Sequence, residues 1–254
     1  MFPKPSDGFA WVQVAGGRAL VCEALAVPHL FTTRSWALGS AFEAERPAAW
    51  ETVGRSLGAD AGALCRAQQA HGASVIVRRM GEPPCGSQPL EQADIIISDD
   101  PSRVLAIQTA DCVPLLVADR RTQVVAAAHA GWKGMAAGVP RKTIEALARE
   151  FGSRPSDLVV VAGPSVGACC YEVGVEVRDA FAQGGFTEAL LQRWFFDGWA
   201  ATRHQLEEAG IPASQIHSAE LCTASHPGVL CSYRRHGKAA GRIAAAIRKP
   251  KPKS

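Results

Sequence analysis

Five short apolar runs mark the middle of this chain: "SVIV" at 74–77, "DIIIS" at 94–98, "VLAIQT" at 104–109, "VVAAAH" at 124–129 and "LVVVAG" at 158–163. Their β-branched content favours strands over helices. Between the last two, Ile144, Leu147, Ala148 and Phe151 follow the spacing of an amphipathic helix, with Pro140 in its first turn and Gly152 as its stop. A second helix is predicted over "YEVGVEVRDAFAQ", with Val173, Val177, Ala180 and Phe181 on one face. A third is predicted over "GWAATRHQLEEAG", with Asp197 as N-cap, and a fourth over "GRIAAAIRK". A strand-rich centre followed by alternating helices points to a layered α/β or α+β domain. The stretch "GEPPCGSQP" at 81–89 reads as a surface loop.

With 254 residues and 47% hydrophobic content, the chain can bury a sizeable core as one large domain. Its net charge of +3 is a weak bias, to which Arg248, Lys249, Lys251 and Lys253 of the "RKPKPKS" tail contribute. That tail, 248–254, is expected to be a flexible, solvated end, and nucleic acid is not implied. No apolar run of about 18 residues appears, so no membrane span is expected. The start "MFPKPSDGF" lacks the basic-then-apolar order of a signal peptide, which makes the cytoplasm the expected compartment. The eight cysteines are then expected to stay reduced, and most of them read as small buried hydrophobes. They form no CxxC…CxxC ribbon, which argues against a closed four-sulfur zinc site.

His129, in "VVAAAHAGWKG", falls at the carboxyl end of a predicted buried strand, where open α/β sheets commonly build ligand sites. Two other strand boundaries carry metal-capable groups: His71 in "QQAHG", and Asp111 with Cys112 in "TADCVPLL". The three segments are too far apart in sequence for one helix or loop, but ends of strands in one sheet could bring them together. Two imidazoles and one thiolate would then suit zinc and leave a fourth position open, as a catalytic site requires. Zinc there can polarise an oxygen or lower the pKa of water towards about 7. The plainer readings are a hydrogen-bonded core histidine for His129, a structural thiol for Cys112 and a turn residue beside Gly72 for His71.

Taken in order, "QQAHG", "VLAIQTADCVPLLVAD", "VVAAAHAGWKG", "AGPSVGACCYEVG", and "CSYRRHG" followed by "GRIAAAI" resemble the YfiH family. That family is also described as laccase-like polyphenol oxidases, peptidoglycan editing factors and purine nucleoside phosphorylases. The blocks extend from about residue 66 to 247. The resemblance implies an α+β fold, a layered α/β/β/α sandwich with mixed sheets, in one catalytic domain over 1–247. It implies a zinc site at His71, Cys112 and His129. It also implies phosphorolysis of adenosine, inosine, guanosine and methylthioadenosine, together with adenosine deamination. The amino-terminal part departs from the family: "FTTRSWALGS" keeps Arg34 and Gly39 but shortens a glycine-rich segment, and Thr202 stands where asparagine is common.

Phosphorolysis needs an anionic phosphate near the anomeric carbon and a protonated leaving base. Arg34, Lys133 and Arg234, with Arg235 beside them, are the basic residues within or next to these motifs, and the first three are the candidate substrate contacts. Deamination needs activated water and a proton manager, for which Asp111 is the first candidate and Glu172 the second. Cys112 is a candidate catalytic residue as well as a ligand. In one rival reading it is the nucleophile of an amide hydrolase editing peptidoglycan precursors, with His129 as base. In another the metal is copper and the chain a polyphenol oxidase, although the seven histidines include no H-x-H pair for a multicopper cluster. A structural site completed by Cys169, Cys170 or His236 would instead fit a metal-stabilised interaction domain.

Overall fold

The computed structural model describes residues 1–39, 46–60, 62–85, 90–183, 191–192 and 194–251. Its strands run in chain order as β1 (Phe9–Val14), β2 (Gly17–Cys22), β3 (His29–Thr32), β4 (Leu64–Cys65), β5 (Val75–Arg78), β6 (Ile95–Ser98) and β7 (Val104–Thr109). They continue with β8 (Val113–Asp119), β9 (Val125–Ala130), β10 (Leu158–Ala162), β11 (Leu191–Gln192), β12 (Phe195–Phe196), β13 (Ile216–Ser218) and β14 (Ile243–Arg248). The helices are α1 (Arg46–Ser56), α2 (Trp132–Ala136), α3 (Val139–Phe151), α4 (Val175–Gln183), α5 (Gly198–Glu208) and α6 (Tyr233–His236).

Two six-stranded mixed sheets form the middle layers, one ordered β1-β2-β3-β14-β7-β4 and the other β13-β10-β8-β9-β6-β5. Consecutive residues of one strand serve different layers. Ile95 and Ile97 pack with Ile144 and Leu147 of α3 and Leu206 of α5, while Ile96 packs with Phe31, Leu105 and Ile247 of the other sheet. Period-two alternation therefore survives, but both faces are apolar, which is why these strands read as uninterrupted hydrophobic runs. On the far side of the first sheet, Trp50, Val53 and Leu57 cover Leu30, Ala244 and Ala246. The result is the expected α/β/β/α order of layers.

Helix ends follow local chemistry. Asp197 caps α5 by accepting hydrogen bonds from the Trp199 and Ala200 backbone amides, and Gly152 ends α3 in the left-handed region at φ 63°. The predicted fourth helix is corrected: Ile243–Arg248 is a strand, paired antiparallel with both β3 and β7. Its alanines favour helix in isolation, yet Ala245 faces the other sheet while Ala244 and Ala246 face α1, so small residues fill a slot closed on both sides. Arg248 belongs to this strand rather than to a loose tail. It is buried and donates a 2.9 Å hydrogen bond to the Leu57 carbonyl.

Two further differences concern cysteine and loop. Cys65 and Cys85 are joined by a disulfide, against the expectation of uniformly free thiols. It fastens the start of the 81–89 segment, whose residues 86–89 lie outside the described residues, to β4. Among the described residues, no helix is long and apolar enough to cross a membrane.

Candidate metal centre

The register of the second sheet assembles the site. In the β8–β9 hairpin Val113 stands opposite Ala130 and Pro114 opposite His129, so Cys112, just before β8, arrives beside Gly131, just after β9. On the other flank of β9, Ile95 is opposite Ala128, and the His129 amide donates a 2.8 Å hydrogen bond to the Asp94 carbonyl. Parallel pairing of β5 with β6 then carries the loop before β5, with His71, to the same end. Asp94 holds that loop: its carboxylate accepts from the backbone amides of Ala70, His71 and Gly72 at 3.3, 3.0 and 2.7 Å.

The ligand atoms of His71, Cys112 and His129 consequently lie within 4.8 Å of one another. The two imidazoles meet edge to face with ring centroids 4.8 Å apart. His129 is buried, Cys112 half-buried and His71 exposed, so the group opens outward on one side. Nδ1 of His129 lies 2.8 Å from Asp94 Oδ1, which leaves Nε2 as its free ring nitrogen. A Cβ on Gly131 would stand 2.9 Å from His71 Cδ2 and 3.0 Å from Cys112 Sγ, so a side chain there would push the trio apart. No fourth His, Cys, Asp or Glu ligand atom among the described residues joins the group.

The electrostatics match a thiolate between two rings. Burial alone would push the Cys112 thiol up, but hydrogen bonds and positive charge from His129 and His71 outweigh it and bring the thiol down to about 6. For His129, burial opposes the charged ring, while Asp94 and Cys112 favour it strongly enough to lift it to about 9. Asp94 itself is fully buried; burial would raise its carboxyl, and the His129 and backbone hydrogen bonds hold it below the ordinary range.

The trio forms part of the wall of a cleft of about 900 Å³ lined also by Asp111, Trp132, Tyr171, Phe196, Tyr233, Arg234 and Arg242. Asp111, at φ 89°, accepts from the Thr223 hydroxyl and from the Arg234 backbone amide, each at 2.6 Å. The Arg234 guanidinium donates to the Glu172 carbonyl and lies 5.5 Å from the centre of the Tyr171 ring. Glu172 has an exposed position and is not among the cleft-lining residues.

Arg34 and Lys133 do not line the cleft. The first donates to the Pro227 carbonyl at 3.5 Å, and the second is exposed on α2 with its ammonium 5.4 Å from the centre of the Trp132 ring. Thr202 is buried within α5, bonded to the Gly198 carbonyl. Sequence reasoning missed Asp94 and Arg242. Asp94 opens "DIIIS", where a carboxylate before a buried strand was itself a signal, and Arg242 stands in the "GRIAAAI" block. Cys169 and Cys170 join a different group, with Cys222, and His236 joins neither.

The family model described as "Multi-copper polyphenol oxidoreductase laccase" matches residues 45–249. The chain belongs to this family, the YfiH family. As a YfiH-family chain it is 33% identical over 242 residues to the purine nucleoside phosphorylase of Deinococcus radiodurans, with 89% of this chain and 91% of that one covered. It is 38% identical over 165 residues to the purine nucleoside phosphorylase of Bacteroides thetaiotaomicron, a match covering 62% of this chain and 61% of that protein. In structure it is similar to the hypothetical protein YfiH of Bacillus licheniformis, at 27% identity and a TM-score of 0.87 over 97% of this chain and 100% of the other. YlmD of Geobacillus stearothermophilus superposes with a TM-score of 0.82 at 26% identity, over 95% and 99% of the two chains.

Proposed function

We propose that this protein is a zinc-dependent purine nucleoside phosphorylase that also deaminates adenosine, working as a single cytoplasmic domain over 1–247. Adenosine, inosine, guanosine and methylthioadenosine are its proposed substrates, with inorganic phosphate. The observation that carries the reading is the three-donor group on the wall of an aromatic-lined cleft that also contains guanidinium groups. About 900 Å³ lies within the range of small-molecule sites and suits a nucleoside with phosphate.

His71, Cys112 and His129 would hold the ion; two nitrogens, one sulfur and an open side form the donor set of a catalytic rather than a structural zinc. Zinc bound there would supply Lewis acidity towards a substrate oxygen. Tyr171 and Phe196 offer flat surfaces for a purine. Arg234, with Arg242 beside the same cleft, would hold phosphate near the anomeric carbon, where its oxygen bonds to the sugar as the glycosidic bond breaks. Arg34 and Lys133, outside the lining, would act on substrate only at the approach to the cleft. Asp111 is fixed as a hydrogen-bond acceptor by Thr223 and Arg234, and would take or return a proton at the reacting base.

The relatives named purine nucleoside phosphorylase support this reading. Incubation of metal-quantified protein with adenosine, with and without phosphate, tests it. Adenine with ribose-1-phosphate is expected only when phosphate is present, and inosine in either case. Absence of both products would overturn the assignment.

One observation favours a second reading, a cysteine amide hydrolase acting on peptidoglycan precursors: Asp94, His129 and Cys112 form a carboxylate–imidazole–thiol chain. Chelation separates the two, since it should abolish zinc-dependent turnover and spare thiol-dependent turnover. Copper on the same ligands is the alternative occupant, and metal analysis of protein purified without added metal decides that point. The Cys65–Cys85 disulfide runs against the usual thiol state of the cytoplasm, so thiol counting in fresh extract tests the proposed compartment.

A further inference from the structure

The second group of sulfurs lies apart from the cleft. None of Cys169, Cys170 and Cys222 lines it, yet their Sγ atoms lie within 4.8 Å of one another. We propose that these three cysteines form a second metal site, taking a thiophilic d10 cation, Cu(I) or Zn(II), through three sulfurs.

The spacing is the first argument. Two thiolates bound to one such ion at about 2.3 Å stand roughly 3.8 Å apart at tetrahedral angles. Cys169 and Cys170 already have their sulfurs 3.7 Å apart. The Ser225 hydroxyl lies 3.7 Å from the Cys169 sulfur and 3.4 Å from that of Cys170, a weak oxygen donor on the same side. No carboxylate or imidazole atom among the described residues enters the group, which disfavours hard cations such as magnesium or calcium.

The support around the group is the second argument. Cys222 is buried, and its sulfur accepts a 3.4 Å hydrogen bond from the Gly167 amide, a contact that orients a thiolate and lowers its charge density. The Cys170 and Tyr171 amides return to the Gly167 carbonyl at 3.0 and 3.1 Å, folding the segment that carries Cys169 and Cys170 into a tight turn. That turn is pinned by Trp199: a Cβ on Gly167 would stand 2.7 Å from its ring, and its Nε1 donates to Ser165 Oγ at 2.6 Å. A bridge between Ser165 and Cys222 ties the third sulfur to the same backbone. Cys169 is exposed, so an ion can reach the group without crossing the cleft.

The test uses full-length protein, stripped of metal and reduced with a phosphine rather than a thiol. Cys112→Ala removes the sulfur of the first centre. This variant is titrated with Cu(I) against a chromogenic chelator and, in a separate arm, with Zn(II), using Co(II) as the spectroscopic probe. One equivalent held in the Cu(I) arm alone identifies copper. Retention in the Zn(II) arm, with strong sulfur-to-cobalt charge-transfer absorption, identifies zinc. Adding Cys169→Ser and Cys170→Ser should abolish that equivalent while the circular dichroism spectrum is unchanged. Should that combination fail to fold, Cys169→Ser alone, at an exposed position, should weaken binding and the charge-transfer band. The proposal fails if Cys112→Ala binds no ion in either arm, or if the serine variants hold the ion unchanged.

Discussion

The carboxylate of Asp94 sits 2.8 Å from Nδ1 of His129 while gathering the amides of Ala70, His71 and Gly72. One buried side chain thus orients one proposed ligand through its ring and another through its backbone. Such partners commonly set metal affinity 10- to 100-fold. Asp94→Asn is therefore expected to weaken zinc binding by about 10- to 100-fold. Chelator competition measures it, and unchanged affinity in a folded variant would remove Asp94 from this role.

Gly131 is expected to matter through space rather than backbone freedom, because its φ of −71° suits any residue. In Gly131→Ala the new methyl would stand 2.9 Å from His71 and 3.0 Å from Cys112, so affinity should fall by at least about tenfold through lost ligand geometry. Gly54, inside α1 with nothing within 4 Å of an added Cβ, is the control. Gly54→Ala should raise stability by about 0.5–1 kcal/mol in urea unfolding and leave metal binding alone.

In metal-stripped protein, Cys112 should be alkylated by iodoacetamide well below the pH at which ordinary thiols react. Its thiolate persists down to about 6, so the rate should hold through neutral pH and fall as the solution is acidified past that value. Replacing His129 with glutamine removes the largest favourable partner and should return the profile towards ordinary thiol behaviour. Peptide mapping at several pH values reads both. A profile unchanged by the substitution would contradict the pairing.

Asp100 and Arg103 form a buried ion pair at 2.8 Å, and Arg103 also donates to the carbonyls of Glu82 and Pro83. Burial would raise the Asp100 carboxyl, but Ser102 and Arg103 hold it below its ordinary value. The stabilisation is thus complete above the unfolded-state pKa and disappears as pH falls through the lower folded-state value. Asp100→Ala should cost about 3–5 kcal/mol at neutral pH by leaving the buried guanidinium, still held by the two carbonyls, without its counter-charge. Urea unfolding at pH 7 and in acid should show the gap between variant and parent closing on acidification.

Much of this architecture is legible in the chain because local and global preferences agree. The β5, β6, β7, β9 and β10 runs, the Gly152 stop and the Asp197 cap each carry their own signal. His71, Cys112 and His129 stood out because reactive residues at strand ends are conspicuous, and the register brings those three together. What escaped depends on pairing across the fold. Ile243–Arg248 is strand only because β3 and β7 flank it, and Asp94 gains its meaning only when β6 lies against β9. Arg34 and Lys133 show the converse, since a motif places a cation near a site in sequence without aiming it into the cleft.

The position of β14 has a bearing on biosynthesis. A strand from residues 243–248 separates β3 from β7 in the finished sheet, so on a translating ribosome those two strands wait with exposed flanks until residues 243–248 have been made. During that interval chaperone protection matters most, and stalled products cut short before residue 243 should aggregate rather than fold.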